Sequence, residues 1–132
     1  MLEFVSFNTA KLAAERGVKI KEYYDGFNFY QHNQYKYNET HYKEKPRKIE
    51  YGGDGYIDDI YAFSLYELQK HLREVFDIIV EPCINNQGEW YYDFFYNPKS
   101  KKKNPNFKST IYKSFEEALD AGLYHAIDIL IK

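Results

Sequence analysis

The stretch from Ser64 to Tyr96 constrains the fold more than any other part of the chain. Ser64 and Glu67 have the spacing of a capping box, in which serine and glutamate side chains satisfy each other's backbone N–H groups at a helix start. Leu65, Leu68, Leu72, Val75 and Phe76 then recur at helical spacing, which predicts an amphipathic helix over 65–76 with those residues buried. Asp77 ends it. Residues 78–84, IIVEPCI, are short and β-branched, and 89–96, EWYYDFFY, are aromatic, with a turn at Asn85-Asn86-Gln87-Gly88 between them. A helix followed at once by two such strands leaves an antiparallel hairpin as the expected outcome.

The flanking segments complete the pattern. Ser6 is placed to cap a first helix over 7–16, with Gly17 as its stop and Phe7, Ala10, Ala13 and Ala14 as its stripe. From 20 to 63 no helical period exists. Tyr23, Tyr24, Phe27, Phe29, Tyr30, Tyr35 and Tyr37 lie among Asp25-Gly26 and Asn33-Gln34, which predicts short strands and tight turns. Residues 38–60, with Pro46 and Gly52-Gly53-Asp54-Gly55, carry no regular pattern. After a polar loop over 97–110, Ser114 and Glu117 form a second capping-box spacing and open a helix over 115–131. Its stripe is Phe115, Ala118, Leu119, Gly122, Ala126, Ile127 and Leu130. A mid-helix glycine costs about 1 kcal/mol against alanine, so Gly122 predicts a close approach to the sheet. The expected class is α+β, one domain over 1–132. An antiparallel sheet (hairpin 78–84/89–96 plus short aromatic N-terminal strands) carries about three helices (7–16, 65–76, 115–131) mainly on one face.

Composition sets outer limits. A chain of 132 residues, 44% hydrophobic and 29% charged, has enough apolar surface for one core and is not a disordered tail. A net charge of −2 supplies no global field to recruit nucleic acid or acidic lipid. No apolar run approaches the roughly 20 residues of a membrane span. The start, MLEFVSFNTAKLAAERG, lacks a basic segment followed by an apolar one, so no signal peptide is expected. Cys83 stands alone, which points to a reducing compartment and a cytoplasmic protein. Aromatics reach 20%, with 15 Tyr and 10 Phe. AT-rich codons explain part of that excess; rings paving an interaction surface would explain the rest.

Catalytic patterns are missing from the sequence. His32, His41, His71 and His125 are scattered, and no second cysteine completes a zinc site. Cys83 follows a strand-like run and reads as a packed residue rather than a nucleophile. Neither a nucleophile elbow nor a phosphate loop occurs. Asp58-Asp59 falls in a loop, and Glu116-Glu117 sits in a helix's first turn, where acids suit the dipole. Calcium-loop spacing from Asp54 would put Leu65 where a glutamate belongs. Asn38-Glu39-Thr40 is a glycosylation sequon that matters only in a secreted chain. No enzyme, cofactor or metal is expected. Lys99, Lys101, Lys102, Lys103, Lys108 and Lys113 lie in one acid-free run beside the aromatic strand, a pairing that sheet-type RNA binders use. The strand lacks the glycines of the RNA-recognition signature and Arg is scarce, so oligonucleotide binding above background is not expected.

Several phrases are familiar together. FVSFNTAKLAAERG, YAFSLYELQKHLREVFDIIVEP, YYDFFYNPKS and YKSFEEALDAGLYHAIDILIK resemble a family of small proteins of unknown function from bacteriophages and prophages of gut Bacteroidetes. Gln69, Leu72, Arg73 and Glu74 match one family phrase, with His71 where Trp is usual. Ala118, Leu119, Ala121, Gly122 and Leu123 match its C-terminal helix. The resemblance covers the start and roughly residues 60–132. It implies a mobile-element origin and no activity. The expected function is non-enzymatic binding to a host or phage macromolecule, first of all a protein. Inhibition of a host defence system is one form of it, and nucleic-acid binding by the 99–113 loop and strand 89–96 is the alternative. Along that strand Trp90, Tyr92, Phe94 and Tyr96 share the face expected to meet the helices 65–76 and 115–131. Tyr91 and Phe95 share the other, which must be covered by the tyrosine-rich segment 20–60 or by another molecule; an intramolecular cover with some rings left for a partner is expected. Candidate partner-binding residues are Tyr91, Phe95, Lys99, Lys101, Lys102 and Lys103.

Overall fold

A computed structural model describes residues 4–18, 28–31, 34–37, 60–61 and 63–132. The chain divides into two compact units, Phe4–Phe63 and Ser64–Lys132.

In the first unit, helix α1 spans Phe7–Glu15. The Ser6 hydroxyl accepts from the Thr9 N–H at 3.3 Å and also meets the Thr9 hydroxyl at 3.1 Å. That second contact explains a departure from the expected stripe. Thr9 and Leu12 are buried with Ala10 and Ala13, while Phe7 and Ala14 are only half-buried. A satisfied hydroxyl removes most of the cost of burying a threonine. The helix closes as expected, with Gly17 at φ 74° and paired bonds from Gly17 N to Ala14 O and Val18 N to Ala13 O. Strands β1 (Asn28–Gln31), β2 (Gln34–Tyr37) and β3 (Ile60–Tyr61) form an antiparallel sheet in the order β2-β1-β3. Gln34 pairs with Gln31 at the end of the ladder, so only two residues connect β1 and β2, in keeping with the expected tight turn. The expected Asp25-Gly26 turn and nearly all of the 38–60 segment lie outside the described residues.

In the second unit, α2 spans Leu65–Phe76 and begins with a complete capping box. Ser64 Oγ accepts from Glu67 N at 3.0 Å, and Glu67 Oε1 accepts from Ser64 N at 3.4 Å. Ser64→Ala is expected to cost about 1 kcal/mol, measured by thermal or urea unfolding, with Ser64→Asp restoring most of it. A left-handed Asp77 (φ 58°) ends the helix. Leu65, Leu68 and Leu72 are buried as expected, but Val75 is 57% exposed. Strands β4 (Ile78–Ile84) and β5 (Trp90–Tyr96) pair antiparallel from Ile78↔Tyr96 to Ile84↔Trp90, leaving Glu89 in the turn. Asn85 Oδ1 holds that turn by accepting from Gln87 N and Glu89 N, both at 2.9 Å.

Helix α3 spans Phe115–Leu130. Its capping is half of the expected box. Ser114 Oγ takes the Glu117 N–H at 3.1 Å, but Glu117 Oε2 takes the N–H of Lys113 at 3.4 Å. Gly122 does make the expected close approach. A Cβ there would stand 2.9 Å from Val80 Cγ1 and 3.0 Å from Tyr92 Cβ and Cγ. Phe115, assigned to the stripe from its spacing, is 42% exposed, whereas Leu123, outside that stripe, is fully buried. Helix α2 packs against β4, and α3 packs against both strands.

The described strands thus fall into two antiparallel sheets rather than one. The β5 edge is occupied by groups from its own unit, and one carbonyl of the β4 edge is taken as well. On β5, Trp90 and Tyr112 exchange backbone bonds of 3.1 and 2.7 Å, Tyr92 N donates to Ser109 Oγ, and Tyr96 N donates to Asn104 Oδ1. On β4, Gln69 Nε2 donates to Val80 O at 2.8 Å. Pro82 stands directly opposite Tyr92, in the class of residues whose N–H groups point out of the pair, so its missing N–H breaks no ladder bond.

Candidate functional site

The hairpin register sorts its side chains into two faces. Ile78/Tyr96, Val80/Phe94, Pro82/Tyr92 and Ile84/Trp90 share one; Ile79/Phe95, Glu81/Asp93 and Cys83/Tyr91 share the other.

The first face is core. Tyr92 and Phe94 are buried, and Trp90 meets Phe115 edge-on at 5.6 Å. Helix α3 covers both strands and α2 packs against β4, with one ring of the polar loop added over β5. Phe107 stacks on Phe94 with ring centroids 4.1 Å apart and planes within 10°. His125 stands edge-on to both rings at 5.0 and 5.1 Å. Its Nδ1 lies 2.6 Å from the Tyr92 hydroxyl. The sequence reading missed Phe107 and His125. A lone large ring between Pro105 and Lys108 was the available signal, since a loop with nothing to bury has no use for it.

Burial, followed by the neighbouring Tyr112, pushes the Tyr92 hydroxyl up to about 12. An unfolded tyrosine gives up its proton near pH 10. The folded state therefore holds a proton that the unfolded chain releases. This contribution is complete below pH 10 and disappears as pH rises from 10 through about 12. Urea unfolding across that window should show wild type losing stability more steeply than Tyr92→Phe. Parallel losses would contradict the assignment.

The second face is different in kind. Ile79, Cys83, Tyr91 and Phe95 are half-buried, and Glu81 and Asp93 are exposed. The two acids sit directly across the strands from each other, an arrangement that destabilises a sheet. Neither has a cationic partner among the described residues. Burial pushes the Cys83 thiol up, against a hydrogen bond from Tyr91 and with help from Asp93 and Glu81. The thiol accordingly stays protonated at neutral pH and is a poor nucleophile. Tyr91 is also raised, first by Cys83. Among the described residues no group of three His, Cys, Asp or Glu is placed to hold a metal ion. His32, His41 and Asp58-Asp59 lie outside them.

Lys99, Lys101, Lys102 and Lys103 are exposed on the loop that follows β5. Lys102 Nζ lies 5.1 Å from the centre of the Tyr96 ring, which belongs to the covered face. Lys102 thus stands on the Tyr96 side of the strand and not on the Tyr91/Phe95 side.

Among the described residues no helix is long and apolar enough to cross a membrane. No protein-family model, curated protein or solved structure matches the chain.

Proposed function

We propose that this chain is a non-enzymatic accessory protein of the bacteriophage type, which acts by holding a host or phage protein on the Tyr91/Phe95 face of its hairpin. The observation that carries this is the facing pair Glu81 and Asp93, set between two half-buried aromatic residues. Two like charges opposite each other work against the fold, and a partner's Lys or Arg placed between them would offset that cost. Flanking rings supply the apolar contact that interface centres favour. Inhibition of a host defence system is one form such binding takes. With the β5 edge occupied, and the β4 edge lacking a donor at Pro82 and an acceptor at Val80, recognition by an added strand is disfavoured and the face is the route favoured here.

The experiment is capture from host lysate with tagged wild type and with Tyr91→Ala/Phe95→Ala. A specific protein retained by wild type and reduced at least tenfold by the double variant, with unchanged circular dichroism, is the expected result. Retention of nucleic acid alone, or capture indifferent to the double variant, would overturn the proposal.

A further inference from the structure

We infer that residues 97–113 form a preorganised arch that binds the phosphate backbone of nucleic acid without reading its sequence. This surface is independent of the Tyr91/Phe95 face.

The run holds six lysines and no acid. Lys99, Lys101, Lys102, Lys103, Lys108 and Lys113 are all exposed. None makes an ion pair among the described residues. Such binding reverses the expectation from sequence, which holds for a lysine run in a loose loop, because ordering it on a ligand cancels much of the attraction. This loop is already ordered. It starts with a 3₁₀ turn, Pro98–Ser100, capped by Asn97 Oδ1 accepting from Lys99 N at 3.0 Å. Asn104 then binds the backbone of Tyr96, Phe107 stacks on Phe94 beside His125, and Ser109 binds the backbone of Tyr92. Tyr112 closes it against Trp90. Four ties along one seven-residue strand hold the lysine-bearing loop over roughly 20 Å. At about 3.4 Å per phosphate that is the reach of roughly six phosphates on one duplex strand.

The same facts choose between polyanions. Lysine is depleted at protein interfaces, whereas phosphates accept it as a point charge. The loop's two rings are engaged inside the protein, Phe107 stacked on Phe94 and Tyr112 beside Tyr92, and the nearby Tyr96 lies under Lys102. No ring is left as a platform for a base, and Ile111, 50% exposed, is the one large apolar side chain the arch shows to solvent. Sequence-independent backbone contact is what remains.

Fluorescence anisotropy with labelled mixed-sequence 20-mers, single-stranded and duplex, tests this at 50–200 mM salt. Saturable binding should weaken steeply with salt, and oligo-dT and oligo-dA should bind within about twofold of each other. Lys101/Lys102/Lys103→Ala should weaken binding at least tenfold and lower the salt slope by about 2–3. Asn104→Ala/Ser109→Ala keeps every lysine and releases two ties; a loss of several-fold there supports preorganisation. Absence of saturable binding at 50 mM salt, or indifference to the lysine variant, would overturn the proposal. So would poly-glutamate competing as well as unlabelled oligonucleotide of equal charge, which would make the loop an acidic-protein surface.

Discussion

Phe94→Ala is expected to cost about 3–5 kcal/mol, a large part of the stability of a domain this size. The ring is 1% exposed, stacked face to face on Phe107 and met edge-on by His125, so its removal leaves a cavity walled by rigid rings. Rigid walls collapse poorly, which places the cost in the upper part of the range for large-to-small changes. The urea midpoint should fall accordingly with little change in slope. A second consequence separates this packing from a generic core. Phe107 loses its stacking partner, so amide exchange should accelerate over 104–112 more than over α2. A loss below about 1 kcal/mol would show that Phe94 is not the hub described here.

Gly122 gives the second large effect, and its sign is the informative part. Helix propensity alone predicts that Gly122→Ala gains about 1 kcal/mol. Overpacking costs about 1–3 kcal/mol. The atoms in the way decide between them. Val80 Cγ1 would stand 2.9 Å from the new Cβ, and Tyr92 Cβ, 3.0 Å away, is bonded directly to its backbone and has no rotamer to escape into. Overpacking therefore wins for alanine, and Gly122→Val should lose about 3 kcal/mol by thermal or urea unfolding. An alanine variant more stable than wild type would mean that α3 stands further from the sheet.

What was legible in the sequence was local. The complete Ser64/Glu67 box and the Asp77 stop placed α2 at its observed bounds, and the β-branched run placed β4, because capping and strand preference depend on neighbours in the chain. Angular position on a helix was legible too, but not how far along its length a neighbour reaches. Val75 in the last turn of α2 and Phe115 at the start of α3 have stripe spacing and are still largely exposed. Glu117 shows the same limit on a smaller scale. Its carboxylate had two N–H groups within reach, and spacing could not say that Lys113 would be taken over Ser114.

The candidate surfaces were legible only in part. Strand alternation separated Tyr91 and Phe95 from Phe94 correctly, since the pleat fixes which residues share a face. The facing acids Glu81 and Asp93 follow from register, which requires the turn geometry as well as the pattern. The part Phe107 takes in covering the aromatic face went unread because it comes from a loop whose composition hides its packing role. The proposed cover of Tyr91 and Phe95 by the tyrosine-rich segment 20–60 concerns side chains outside the described residues.

The outward Tyr91/Phe95 face is the central claim, and Cys83 is a built-in probe of it. It is the chain's one cysteine, it is half-buried on that face, and it pairs across the strands with Tyr91. Native-state labelling with a polyethylene-glycol maleimide, followed across a urea series below the unfolding transition, measures whether the face opens to solvent without unfolding. The account predicts labelling at a rate independent of urea, slow because burial raises the thiol, and a labelled protein that melts within a few degrees of the unlabelled one. Protection that is lost only in step with global unfolding would show this face sealed inside the protein, and the proposed partner surface would be contradicted.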